Sequence, residues 1–251
     1  MPSGLIADHG FSVGANRKNF AEIIMPRRSK RYSSESEKTS KEMFNISDGV
    51  KKVKGFGSTK FDQTVEIVMH LGIDPKQADQ MIRGAIALPN GIGKSRKVIA
   101  FCEDSEAEEA KGAGAIEAGC DELIQKVQDG WLDFDVAIAS PKVMGKAGKL
   151  GRVLGPQGKM PSPKNGTVTP DVINAVKEFA AGKVEFRNDS GGNIHAIVGK
   201  LSFDDGKLEE NIDAFVSYIK RAKPSSVKGV YIKKVAISAT MSPSVLLNIT
   251  S

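Results

Sequence analysis

Glu185-Phe186-Arg187-Asn188-Asp189-Ser190-Gly191-Gly192-Asn193-Ile194-His195, with Thr240-Met241-Ser242-Pro243-Ser244-Val245 further along the chain, is the most informative pair of segments in this protein. Each reads as a strand ending in a turn that offers polar groups and free backbone to a partner. Residues 184–188 and 194–200 form a hairpin around Gly191-Gly192, because a glycine turn matches the twist of paired strands. Beyond it, Leu208, Ile212, Phe215 and Ile219 fall on one stripe of a helix that stops before Pro224. Residues 230–239 supply a last strand.

Working back towards the N-terminus, Phe61-Asp62-Gln63-Thr64-Val65-Glu66-Ile67-Val68-Met69 alternates. Val65, Ile67 and Met69 face one way while Asp62, Thr64 and Glu66 face the other, the pattern of a strand with one buried and one wet face. Before it, residues 25–54 begin as a basic, serine-rich arm. Ser47 then serves as N-cap of a short helix carrying Val50 and Val53 on one side, broken by Gly55 and Gly57.

The middle is patterned differently. Val98-Ile99-Ala100-Phe101 and Val136-Ala137-Ile138-Ala139 are short, wholly apolar strands, separated by an acidic helical segment after Ser105 and a helix marked by Leu123, Ile124 and Val127. Such alternation predicts an α/β unit with parallel pairing. Residues 141–169 are rich in Gly and Pro and read as irregular. The economical architecture is a discontinuous α+β domain from residues 25–90 plus 183–251, with an α/β domain inserted over 91–182. Two connections cross the boundary, so Gly91 and Gly182 are the hinge candidates.

Charge follows this division. Residues 25–54 carry nine Lys/Arg against four acids, and residues 136–251 seventeen against nine, whereas residues 101–135 carry two lysines and eleven acids. Basic flanks around an acidic lobe suit a protein that grips phosphates with one part and holds another away from them. Cys102 and Cys120 form no Cys-x-x-Cys pair, which fits a reducing cytoplasm and supports neither a disulfide framework nor a thiolate metal site. No apolar run approaches the roughly 18–20 residues that span a bilayer. Residues 1–24 show no periodicity and precede Met25-Pro26-Arg27-Arg28-Ser29-Lys30-Arg31; they read as a non-native or disordered extension, with Met25 as the initiator.

Little here supports catalysis. Gly91-Ile92-Gly93-Lys94-Ser95 ends like a phosphate loop, but Leu88 stands where the loop needs its first glycine, and the segment precedes a strand instead of following one. Gly112-Ala113-Gly114-Ala115-Ile116-Glu117 places Glu117 where a dinucleotide fingerprint needs a small residue, and reads as a helix-end turn. His195 lies near Asp189 but lacks the oriented partner and pocket of an acid–base catalyst. The best enzyme alternative is a small α/β nucleotide-binding transferase using the basic 141–169 loop, without a nucleophile beside a base. Binding explains more: Lys60 beside Phe61 pairs a charge with an aromatic face that can stack on a base, and Thr240, Met241 and Ser242 bring hydroxyls and a flexible apolar chain to a strand end.

Several segments in order resemble the bacterial form of the ribosomal protein L-one family: Lys60-Phe61-Asp62-Gln63-Thr64-Val65-Glu66, Leu71-Gly72-Ile73-Asp74-Pro75, Leu88-Pro89-Asn90-Gly91-Ile92-Gly93-Lys94, Asp129-Gly130-Trp131-Leu132-Asp133-Phe134-Asp135, Lys149-Leu150-Gly151-Arg152-Val153-Leu154-Gly155-Pro156, and the two segments quoted first. The resemblance implies a discontinuous RNA-binding domain with an inserted three-layer, Rossmann-like α/β domain. It implies a non-enzymatic, cofactor-free component of the large ribosomal subunit, monomeric when free, that binds large-subunit ribosomal RNA at the mobile stalk. It further implies help in releasing exit-site transfer RNA and repression of its own operon through the messenger. Lys60, Phe61, Thr64, Glu66, Asp189, His195, Thr240, Met241 and Ser242 then line the RNA surface. The chain departs from the family pattern with Ser242 for a usual glycine, Ser190 for a frequent lysine and Lys234 for a frequent serine. Ser242 removes any backbone conformation that only glycine adopts, while Lys234 can return the charge lost at 190.

Overall fold

The computed structural model describes residues 29–37, 39, 42–57 and 59–249; the reading of residues 1–24 as an extension with Met25 as initiator lies outside them. In chain order the elements are α1 (Lys30–Glu37), β1 (Met43–Phe44), α2 (Ile46–Lys54), β2 (Thr64–Leu71), β3 (Arg83–Ile86), β4 (Val98–Phe101), α3 (Asp104–Gly112), β5 (Ala115–Gly119), α4 (Asp121–Gln128) and β6 (Val136–Ala139). Short helical turns follow, and then α5 (Val172–Ala180), β7 (Val184–Arg187), β8 (Asn193–Lys200), α6 (Asp205–Arg221), β9 (Ile232–Ala239) and β10 (Val245–Leu247).

A five-stranded sheet, ordered β1-β10-β9-β2-β8, has β2 antiparallel to both neighbours. The alternation in β2 is realised: Val65, Ile67, Met69 and Leu71 are at most 1% exposed, and Glu66 stands in solvent. The inward face is roofed by α2, through Val50 and Val53, and by α6, through Leu208, Ile212, Phe215 and Ile219. A residue with Gly72's backbone and a Cβ would meet the Val230 carbonyl oxygen at 2.3 Å, so only glycine lets β2 pass the segment that leads into β9.

The second sheet is parallel and three-stranded, ordered β5-β4-β6. Its strands β4 and β6 are buried on both faces, which is why they read as continuous apolar runs. Val98, Ala100 and Ile138 pack towards α3 and α5, whereas Ile99, Phe101 and Ala137 pack towards α4 and Leu150. Burial pushes the Cys102 thiol up to about 11, so it is a neutral core side chain. The mixed α/β class with parallel pairing is as the sequence predicts, and among the described residues no helix is long and apolar enough to cross a membrane.

Several local expectations need correction. The hairpin around Gly191-Gly192 is not a paired hairpin: β7 pairs with β3, β8 pairs with β2, and the two share only the Asn188–Ile194 bridge. The β3–β7 ladder is extended at its end by Asn188, whose amide donates to the Ile82 carbonyl (3.0 Å) and whose Oδ1 accepts the Ile82 amide (2.9 Å). The helix containing Val50 and Val53 begins after Asn45, two residues before the expected Ser47 cap. Residues 230–239 do not supply the last strand, since β10 follows and pairs with β9. Strand β1 escaped a periodicity reading because it has two residues, and β3 and β5 because each includes a glycine and a charged residue and forms no apolar run; β5 starts directly after the helix-end turn at Gly112–Gly114. Residues 141–169 contain helical turns at Met144–Ala147, Gly148–Leu150, Gly151–Leu154 and Pro163–Asn165, too brief to carry a 3.6-residue period.

One buried polar side chain ties the sheet to the connection after β3. Asn211 of α6 is fully buried, donates from Nδ2 to the Val198 carbonyl (2.7 Å) and the Gly91 carbonyl (3.0 Å), and accepts the Asn90 amide at Oδ1 (3.1 Å). Replacing it with leucine leaves these backbone groups without their partner, and urea unfolding should show a loss of about 1–3 kcal/mol. Gly72→Ala should lower stability by about 1–3 kcal/mol in the same assay, because the obstructing atom is backbone that cannot rotate away.

Candidate nucleic-acid interface

The outer face of the five-stranded sheet is open, and its central stripe is defined by register. Glu66 lies opposite Ile197 and Ser238, Val68 opposite His195 and Ala236, and His70 opposite Asn193 and Lys234. At about 3.3 Å per residue, the stripe from Thr64 to His70 runs about 20 Å.

One end of the stripe is a tightly bonded edge. The Thr64 amide donates to Thr240 Oγ1 and the Thr240 amide donates to the Thr64 carbonyl, each at 3.1 Å. Lys200 Nζ donates to Thr64 Oγ1 at 2.8 Å. The Met241 amide donates to Gln63 Oε1 at 3.0 Å, while Gln63 itself is buried at 2% exposure. The backbone of Met241 is therefore held, yet its side chain stands 51% exposed. Phe61 lies three residues before β2, outside the strand to which the alternation assigns it; it is 50% exposed and is no part of the core, and Lys60 beside it is exposed too. Met241 and Phe61 are thus large apolar side chains that this region leaves exposed to solvent.

Ser242 sits differently from its neighbours. It is 9% exposed, its hydroxyl accepts the Ala239 amide at 2.9 Å, and its own amide donates to the Ala239 carbonyl at 3.0 Å. Its hydroxyl also lies 3.3 Å from the Pro243 carbonyl. The serine closes the turn that presents Met241 instead of facing outward, which is how the chain accommodates the departure at this position.

The other end is built around Asp189. Its carboxylate accepts the amides of Asn193 (2.7 Å) and Gly191 (2.9 Å) and the Asn193 side-chain amide (3.0 Å). These bonds, the Asn193 side chain foremost, hold its carboxyl below the usual range. Asp189 Oδ2 is 4.0 Å from His195 Nε2 with both groups exposed, too far for a hydrogen bond and too wet for an oriented catalytic pair. His70 Nδ1 lies 2.8 Å from Asn193 Oδ1. Among the described residues no group of His, Cys, Asp and Glu side chains is arranged to hold a metal ion.

The nine candidates thus form a stripe with two ends. Thr64, Thr240, Met241 and Ser242 are bonded into one edge, with Lys60 and Phe61 leading into it. Glu66 stands mid-stripe, and Asp189 and His195 lie towards the far end. Sequence reasoning missed Gln63 and Arg31. Gln63 had a signal, since it is a polar residue in phase with the buried face of β2. Arg31, which donates from Nη2 to the Met241 carbonyl at 2.8 Å, had none, because in sequence it is one of many basic residues in the arm.

Comparison with known proteins places the chain in a family. The model of the Ribosomal protein L1p/L10e family matches residues 50–243, more than half of the chain. A large ribosomal subunit protein uL1 of Rhodopirellula baltica is 58% identical over 221 residues, covering 88% of this chain and 98% of that protein. The protein of the same name from Lactobacillus gasseri is 52% identical over 225 residues (89% and 98%), and that of Chlorobium chlorochromatii 52% over 202 residues (80% and 88%). Identity at this level across nearly the whole of each relative, with the strand edge and stripe lying inside the matched span, leaves one conclusion: the chain belongs to the Ribosomal protein L1p/L10e family.

Proposed function

We propose that the open face of the five-stranded sheet binds large-subunit ribosomal RNA at the mobile stalk, and that the chain serves there as a structural component of the large ribosomal subunit, not as an enzyme. Its relatives carry the name of large ribosomal subunit proteins. The observation that carries the reading is the edge where Met241, half exposed, rides on a backbone locked by Thr64, Thr240 and Gln63, with Lys60 and the half-exposed Phe61 leading into β2. Apolar and aromatic side chains at fixed positions beside a lysine suit unstacked bases and phosphates, which is how single-stranded and irregular RNA is recognised. In the same reading the protein works on cytoplasmic ribosomes, assists release of exit-site transfer RNA, and represses its own operon by binding the messenger. The transferase alternative loses support because Gly91–Ser95 leads into β4 and opens no helix.

The reading includes a division of the chain into residues 25–90 plus 183–251, which carry the RNA surface, and residues 91–182, an inserted three-layer, Rossmann-like unit. The apolar cluster beneath the five-stranded sheet draws its buried members from residues 50–92 and 184–247, while those flanking the parallel sheet draw theirs from 98–179. The two crossings hold glycines in left-handed conformations, Gly91 at φ 62° and Gly182 at φ 103°. A Cβ on Gly182 would come within 3.0 Å of Ile92 Cγ1, so both crossings are close-packed as well as conformationally special, as suits a hinge.

The decisive experiment compares binding of a stalk RNA transcript with that of a scrambled duplex across salt concentrations. At least tenfold preference for the stalk is expected, and equal binding overturns the reading. In that assay Phe61→Ala should cost about 1–3 kcal/mol of affinity, the worth of a stacked base, with unchanged thermal stability. Lys60→Ala should reduce the slope of log K against log salt by about one, as loss of one phosphate contact requires.

A further inference from the structure

Helix α1 lies outside the sheet yet touches both segments that build the recognition edge. The Arg31 guanidinium donates from Nη1 to the Gly57 carbonyl at 3.1 Å and from Nη2 to the Met241 carbonyl at 2.8 Å. One turn on, Glu35, only 6% exposed, accepts the Gly57 amide at Oε1 (2.8 Å), with Arg31 Nη1 3.9 Å from the same oxygen. Gly57 is thus held through both of its backbone polar groups by residues four apart on one helix face. A Cβ there would stand 2.6 Å from Glu35 Oε1, so the glycine admits this close approach. Met241 is likewise held on both sides, its amide by Gln63 and its carbonyl by Arg31. A cleft of about 620 Å³ lies elsewhere, beside α4, but the cleft at this edge, about 430 Å³, is bounded by Ser29, Arg31 and Tyr32 on one side and Thr240, Met241 and Ser242 on the other.

We propose that Arg31 is a positioning residue for RNA recognition: it fixes the Met241 turn against Gly57, so that the Met241 side chain is presented in one arrangement. The proposal rests on the reading of this edge as an RNA surface. A planar fork that bridges two carbonyls cannot be reproduced by the single ammonium of lysine, although lysine keeps the charge. Arg31 therefore acts through geometry, and charge-conserving replacement separates that role from a phosphate contact.

The test uses the full chain with Arg31→Lys, Arg31→Ala, Met241→Ala, the Arg31→Lys/Met241→Ala pair, and Lys30→Ala as an exposed charge control. Affinity for the stalk transcript is measured across salt, and amide hydrogen exchange at Gly57 and Met241 is measured without RNA. Arg31→Lys should weaken binding about tenfold, the effect of losing a charge-assisted bond, with the salt slope unchanged. Added to Met241→Ala it should cost no more than Met241→Ala alone, because the two act as one unit. Exchange at both amides should quicken in Arg31→Lys and in Arg31→Ala, and not in Lys30→Ala. Binding by Arg31→Lys within twofold of the parent chain overturns the proposal, as does a slope reduced by about one in Arg31→Ala with parent-like affinity in Arg31→Lys. Failure of the parent chain to prefer the stalk transcript defeats the RNA reading instead; the exchange data then still decide the lock, and unchanged exchange at Gly57 and Met241 removes it.

Discussion

The pairing of β2 between β8 and β9 is the constraint on which the rest depends. No strand near β2 in sequence satisfies its hydrogen bonds; the partners come from residues 193–200 and 232–239. The chain must therefore close long loops before the central ladder can form, and the apolar face of β2 supplies much of the compensation by burying Val65, Ile67, Met69 and Leu71 against α2 and α6. A strict period of two on β2 then guarantees that its remaining side chains share one open face, so the core and the candidate surface are two sides of one decision.

Buried polar side chains serve as junction pieces wherever backbone leaves the regular ladders. Asn211 satisfies the connection after β3, Asn188 pins β7 to the start of β3, and Gln63 holds the turn that follows β9. Each gives hydrogen bonds to main-chain groups that no ladder serves, which is what makes a polar residue tolerable in a core. Two of the three also act on the edge or on the crossing between sheets, so rigidity is concentrated where the proposed RNA contacts and the hinge candidates lie.

The candidate surface is an edge of immobilised backbone more than a dense array of charge. Thr64 and Thr240 exchange bonds, Ser242 closes the turn, and Met241 and Phe61 are left as the groups with free area. At the far end Asp189 spends its carboxylate on its own turn. A negative group used in this way shapes the surface without repelling a phosphate as strongly as an unbonded carboxylate would. Preorganised edges lose little entropy when a partner binds, so modest contacts yield useful affinity.

Much of this was legible in the residues themselves. Alternation marks β2, the continuous apolar runs mark β4 and β6, and the stripe of Leu208, Ile212, Phe215 and Ile219 marks α6, because burial on one face, both faces or one helical stripe imposes a distinct period. That Glu66 shares the open face of β2 was legible as well, from the same alternation. What the tertiary structure alone decided is partnership. That β7 leaves its apparent hairpin mate for β3, that Ser242 turns inward, and that Arg31 reaches Met241 across 210 positions all depend on hydrogen bonds between segments remote in sequence. Periodicity records how each residue meets water or core, and is set locally; the choice of partner is settled only when the whole chain has closed and every buried polar group must find its match.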